Sequence, residues 1–119
     1  MATGWVYVNG HYYHMDQWGA MQTGWVSVDG HWYYLNTDGA MATGWVYVGG
    51  YWYYLDQWGA MQTGWISVDG RWYYLNRDGS MAVSQWIGDY YVQSDGSMAT
   101  SQWINGYYVD TSGRWVRNA

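Results

Sequence analysis

The sequence predicts an all-β protein, a solenoid of stacked β-hairpins, on three observations. The chain repeats every twenty residues, each repeat holds two short β-forming runs around a turn dipeptide, and the apolar mass is aromatic instead of aliphatic. Twelve Trp and fifteen Tyr supply that mass, while Phe is missing and Leu and Ile are few. Each such ring can bury on the order of 150–250 Å² and keep a polar handle. A fold built from them depends on contacts between neighbouring repeats.

The elements follow from the period. Trp5, Trp25, Trp45 and Trp65 each follow a Gly, and Gly10, Gly30, Gly50 and Gly70 sit five residues after them. The triplets Tyr12-Tyr13-His14, Trp32-Tyr33-Tyr34, Trp52-Tyr53-Tyr54 and Trp72-Tyr73-Tyr74 keep that register. One repeat domain over 1–119 is therefore expected, with regular repeats at 1–20, 21–40, 41–60 and 61–80. A forty-residue period lies over the first: DQWG at 16–19 and 56–59, N-x-D-G at 36–39 and 76–79. Near identity of this degree, with no Lys or Glu in the chain, suggests recent duplication or a designed or trimmed sequence. Residues 81–119 hold two shorter repeats around Trp86 and Trp103 and end in RWVRNA; atypical terminal repeats commonly cap a stack.

Within a repeat, WVSV and HWYYL flank Asp29-Gly30, the strongest short-range signal for a two-residue hairpin turn. Asn9-Gly10, Gly49-Gly50 and Asp69-Gly70 repeat it, and the Gly-bounded links between hairpins read as loops. A two-residue turn fixes the register: Val28 opposite His31, Ser27 opposite Trp32, Val26 opposite Tyr33, Trp25 opposite Tyr34. Side chains alternate, so Trp25, Ser27, Trp32 and Tyr34 share one face and Val26, Val28, Tyr33 and Leu35 the other. A lone hairpin is marginal in water, and one with two apolar faces has to be covered on both, which predicts stacking.

Stacking brings the double-Trp face of one hairpin near the Tyr face of the next, as with Trp25, Trp32 and Tyr53. Three rings can box a quaternary ammonium, which donates no hydrogen bonds and is held by π faces and apolar contact. The same stripe also reads as plain packing, because buried aromatic stripes usually are. The residues alone leave both readings open.

Nine Asp against four Arg give a formal charge of −5, which argues against a phosphate-binding surface for DNA or RNA and suits a cationic ligand. Net charge speaks of solubility first. Without Cys there is no disulfide or thiolate site. The opening residues MATGWVYV form no signal peptide, and no apolar stretch is long enough to span a bilayer, so no membrane insertion is expected. His11, His14 and His31 are the only imidazoles. His11 and His31 share their repeat position with Tyr51 and Arg71, a variable exposed site, so no metal is expected there. Asp29, Asp38, Asp69 and Asp78 recur at turns, where Asp before Gly suits the backbone. No constellation stands apart from the repeats, so neither an enzyme nor a cofactor is expected.

The stretch GWVSVDGHWYYLNTDGAMATGW, residues 24–45, resembles the choline-binding repeat of bacterial cell-wall proteins: a Trp after Gly, a W-Y-Y triplet after a turn, and a Met-x-Thr-Gly-Trp link. The likeness is close over 1–80 and looser over 81–119. It implies a left-handed solenoid, a non-catalytic module holding choline between consecutive repeats, and attachment to choline-decorated teichoic acid. It also implies a bacterial cell-surface or secreted location, a phage lysin included, and dimerisation through terminal hairpins. The implied cages are Trp5, Tyr12 and Tyr33; Trp25, Trp32 and Tyr53; Trp45, Trp52 and Tyr73; and Trp65, Trp72 and Tyr90. Met21, Met41, Met61 and Met81 are the implied rims, with gap filling as their other reading.

Four positions depart from the pattern. Tyr12 replaces a Trp, and Asp89 takes the first triplet position after Trp86, which leaves a fifth cage incomplete. Trp18 and Trp58 lie in links, where they read as covering an exposed edge more readily than as making a designed contact. Related repeats with W-Y-Y-F triplets bind glucans or build toxin receptor-binding arrays. Leu35, Leu55 and Leu75 in place of that Phe favour choline over the first alternative, a glucan-binding module, and leave open the second, a ligand-free designed scaffold.

Overall fold

The computed structural model describes residues 3–118, and among them there is no helix. The chain forms two compact units, Met1–Gln62 and Thr63–Ala119. In the first unit β1 (Gly4–Val8) pairs with β2 (His11–Met15), β3 (Gly24–Val28) with β4 (His31–Leu35), and β5 (Gly44–Val48) with β6 (Tyr51–Leu55). In the second, β7 (Gly64–Val68) pairs with β8 (Arg71–Leu75) and β9 (Gln85–Ile87) with β10 (Tyr90–Val92). The last sheet has three strands, β11 (Gln102–Ile104), β12 (Tyr107–Val109) and β13 (Trp115–Val116), with β12 in the middle.

The hairpin register is the one the turns demand. Trp25 faces Tyr34, Val26 faces Tyr33, Ser27 faces Trp32 and Val28 faces His31. Asp29 and Gly30 sit at φ 52° and 82°, the doubly left-handed backbone of a primed turn that splays neither strand. In the β9–β10 hairpin the turn is Gly88-Asp89, and of the pair only Gly88 has a positive φ.

Aliphatic side chains at one recurring position, not the rings, form the fully buried core. Leu35 and Leu55 in the first unit, and Leu75, Val92 and Val109 in the second, each end the second strand of a hairpin and are 0% exposed. Small residues of the links, Ala40, Ala42, Ala82 and Ala99, are buried too. The first Trp of the triplet stays open, at 47% for Trp32 and 45% for Trp72. So the packing reading of the aromatic stripe fails for these rings.

Each link folds back on its own hairpin and then reaches the previous one. In the second repeat Asn36 N–H donates to the Ala40 carbonyl, and Gly39 N–H to that of Asn36. The next residue, Met41, donates its N–H to the carbonyl of Tyr12, and Met61 does the same to Trp32. In the second unit Met98 bonds Trp72 and Trp115 bonds Asp89 in the same way. These bonds stitch the start of a repeat to the triplet two repeats earlier. The link aspartates act locally: the Asp38 carboxylate accepts from the N–H of Ala40, and that of Asp56 from the N–H groups of Trp58 and Ala60.

In the second unit the links are acid-sensitive by construction. The hydroxyls of Ser80 and Ser97 donate to Asp78 and Asp95 and hold both carboxyls below their ordinary value. The folded state therefore binds protons less readily than the unfolded chain, so this stabilisation is complete above 3.8 and is lost as pH falls through the depressed folded values. Melting curves taken from neutral pH downward should be flat until the carboxylate range and then drop. The Ser80→Ala, Ser97→Ala double variant should show a shallower drop, and an unchanged slope would remove these hydroxyls from the account.

Candidate functional site

The first predicted cage forms around a real cavity. Trp5 on β1, Tyr12 on β2 and Tyr33 on β4 line a space of about 310 Å³ together with Met41, Gln57 and Trp58. Trp5 and Tyr33 stand edge to face at 5.0 Å and 72°, and His14 braces Trp5 at 4.9 Å and 75°. His14 is fixed in turn by a hydrogen bond between its Nδ1 and the Gln22 side-chain oxygen. Two consecutive hairpins thus supply three rings held at steep angles to one another.

The fourth predicted cage repeats the arrangement within the second unit. Trp65, Trp72 and Tyr90 line a cavity of about 320 Å³ with Met98 and Ser112. Trp65 meets Tyr90 at 5.6 Å and 72°, and Tyr74 braces it as His14 braces Trp5. For the second cage, Trp25 and Tyr53 meet at 4.9 Å and 68°, with half-exposed Trp32 bonded through its carbonyl to Met61. Of the third, Trp45 and Trp52 lie in the first unit, 6.5 Å apart and nearly perpendicular. Tyr73 belongs to the second unit, on β8, with Ser97 as its bridge partner.

Met41 closes the first cage because it lies two repeats on from Trp5, over Gly59, where a Cβ would come within 2.5 Å of its sulfur. Met21 packs over Gly39 in the same fashion, but no described hairpin lies two repeats before it to give it a cage. Met81 packs over Gly96, and Met98, which the sequence reading passed over, rims the fourth cage. The signal for Met98 was present: Gly96-Ser97-Met98 stands in register with Gly39-Ala40-Met41.

Trp58, read from the sequence as an edge cover, also takes part in a cavity. Trp58 lines the first cavity as an added aromatic wall, while Ser112, at the equivalent link position, lines the fourth. Trp18, 70% exposed, lies in the first repeat and has no earlier cage among the described residues to wall.

The fifth cage, read as incomplete because of Asp89, exists in another form. Trp86, Tyr107 and Trp115 line a cavity of about 280 Å³ floored by Gly88. Trp115 takes the place of the rim Met, as its bond to the Asp89 carbonyl shows, and so restores the ring that Asp89 removes. Asp89 itself pairs with Arg117 at 2.7 Å and Arg114 at 3.6 Å, and the Arg117 hydrogen bond holds its carboxyl below the usual range.

These cavities have little polar lining and no charged wall. They hold neither a nucleophile with a base nor paired carboxylates, and no group of three or more metal-ligating side chains occurs among the described residues. Chemically, such a box is suited to surrounding an apolar cation with π faces.

Comparison with known proteins agrees in sequence and in fold. A choline-binding repeat model matches residues 2–44 and 42–86, and a second one matches 80–115. Choline-binding protein F of Streptococcus pneumoniae is 43% identical, with a TM-score of 0.91 over 98% of this chain and 41% of that one. CbpJ of Streptococcus pneumoniae gives the same identity, TM-score and shares of the two chains. The modular autolysin LytC of the same organism, in complex with a synthetic peptidoglycan ligand, is 27% identical, with a TM-score of 0.84 over 96% of this chain and 29% of that one. The chain thus spans about two fifths of the first two structures and less of the third. No curated protein sequence matches it.

Proposed function

Since the chain belongs to the choline-binding repeat family, we propose that it is a non-catalytic module that holds the choline groups of teichoic acid in cages between consecutive hairpins and so anchors to a bacterial surface. The observation that carries this reading is the first cavity, where Trp5, Tyr12 and Tyr33 come from two hairpins and enclose about 310 Å³ with a thioether at the rim. A trimethylammonium group has no hydrogen to donate, so a pocket of rings and sulfur leaves none of its polar needs unmet. A sugar would leave hydroxyls unpaired against such walls. The similarity to choline-binding protein F and CbpJ supports the same reading.

Individual cages are weak, since each favourable ring contributes on the order of 0.5–2 kcal/mol. A polymer carrying many cholines engages several at once, which raises the overall affinity without new contacts. Retention on an immobilised quaternary amine tests the proposal. The protein should bind the matrix, resist a salt wash and elute with free choline; passage straight through the column would contradict it.

A further inference from the structure

We infer that the second unit carries a sugar-binding groove beside Trp72, distinct in chemistry from the aromatic boxes. Arg71 and Trp72 on β8, Gln93, Asp95 and Thr100 between β10 and β11, and Gln102 on β11 line a cavity of about 410 Å³. All of them lie within Thr63–Ala119. Trp72 and Met98 line both this groove and the fourth cage, so the two cavities share a wall.

The polar groups of the groove are held by one another. Gln102 Nε2 donates to the Gln93 side-chain oxygen at 3.4 Å, Gln93 Nε2 to the Ser97 hydroxyl at 3.2 Å, and that hydroxyl to Asp95 Oδ1 at 2.6 Å. The Ser97 N–H donates to the same Asp95 oxygen at 2.9 Å. One carboxylate oxygen is thus committed to the link. The other faces the Arg71 guanidinium at 3.8 Å, too far for a hydrogen bond. Both side chains are largely exposed, so this ion pair is worth little and yields readily to a ligand. It sets acceptor lone pairs next to a five-donor fork, to which Gln102 adds an amide oxygen and Thr100 a hydroxyl. Beside them stands an indole that is half exposed.

This lining selects the ligand class. Arg71 and Asp95 cancel, so the groove favours neither an anion nor a bare cation. A neutral sugar brings hydroxyls that both donate and accept, and a face of C–H groups that can rest on an aromatic plane; the groove meets both needs. The cages of rings and Met cannot, because they leave hydroxyls unpaired. The groove is also local to this hairpin. In register with it around Tyr12, His11 stands for Arg71, Ala40 for Ser97, and Gly44 alone where Ser101 and Gln102 lie. Nothing in this inference depends on what the cages hold.

Titration of the ¹⁵N-labelled chain with chitobiose and with maltose, neutral disaccharides with and without N-acetyl groups, tests it. The side-chain amide signals of Gln93 and Gln102 and the Trp72 indole should move together and saturate at millimolar sugar, with Trp5 unmoved. A response to either disaccharide supports the groove, and the stronger one identifies the substituent it prefers. Arg71→Ala should raise the half-saturation concentration about tenfold and Gln102→Ala about threefold, the worth of one charged and one neutral hydrogen bond. Neither residue lines the fourth cage, so choline titration read at Trp65 should be the same in both variants as in the parent, which also reports an intact fold. If choline moves Trp65 while both sugars leave Gln93 and Gln102 still, the groove is wrong and the cage reading stands. Sugars that move Trp5 and Trp65 as far as Gln102 also overturn the groove, since binding is then not located there. A sugar response at Gln102 with Trp65 silent to choline upholds the groove and overturns the cages.

Discussion

Leu55→Ala is expected to destabilise the protein by about 3 kcal/mol, the largest effect of any single truncation considered for its fold. Leu55 ends β6 with no exposed surface and bridges Met61, so its loss leaves a buried cavity beside a short hairpin that has little else to fill it. Each repeat leans mainly on its neighbours, and a defect there has no distant core to absorb it. Denaturant titration measures the loss, with Trp32→Ala as the comparison. The Trp is the bulkier residue, yet it is 47% exposed, so it should cost clearly less stability than the Leu. Equal losses would mean that the triplet Trp is structural after all.

The second large effect is on binding and runs the opposite way. Trp32→Ala should weaken choline binding at its cage by about 2- to 30-fold, the worth of one ring contact, with little change in folding. Trp58→Ala should weaken the first cage by less, because Trp58 is 71% exposed and adds a wall to a box that Trp5, Tyr12 and Tyr33 already form. Trp18→Ala should leave every cage unchanged. Fluorescence titration of the three variants reads these differences. A loss for Trp18→Ala equal to that for Trp32→Ala would show the faces to be wrongly assigned.

The contrast between Trp18 and Trp58 marks what the sequence can and cannot convey. The hairpins were legible because a two-residue turn at Asp29-Gly30 leaves one register, and alternation then sorts Trp25 and Trp32 from Val26 and Leu35. The ring sets of the first and fourth cages followed, since their members sit on adjacent hairpins. Contacts that skip a repeat were not legible. A period makes Met21, Met41 and Met61 equivalent, and Trp18 equivalent to Trp58, but it does not say how far along the chain each reaches. The link bonds set that reach, Met41 to Tyr12 and Met98 to Trp72, and only with them on hand do Met98, Trp58 and Trp115 become walls. The fifth box was missed for a related reason: Asp89 signalled a lost ring, while the ring that compensates lies 26 residues later in sequence at a position that elsewhere holds Met. The division of labour between core and cage was also hidden, because Leu35 and Trp32 are equally apolar on paper and only the fold buries one and opens the other.

Competition between choline and 3,3-dimethylbutanol, its neutral isostere, tests the central claim most directly. The two molecules have nearly the same shape and differ in the charge at the quaternary centre, so the ratio of their affinities isolates the cation–π part of binding. Calorimetry on the choline-loaded protein should find the alcohol at least about tenfold weaker, in line with the contribution of a few ring faces. If the alcohol displaces choline as well as choline displaces itself, the cavities are hydrophobic slots, and the rings around them do not act as cation cages.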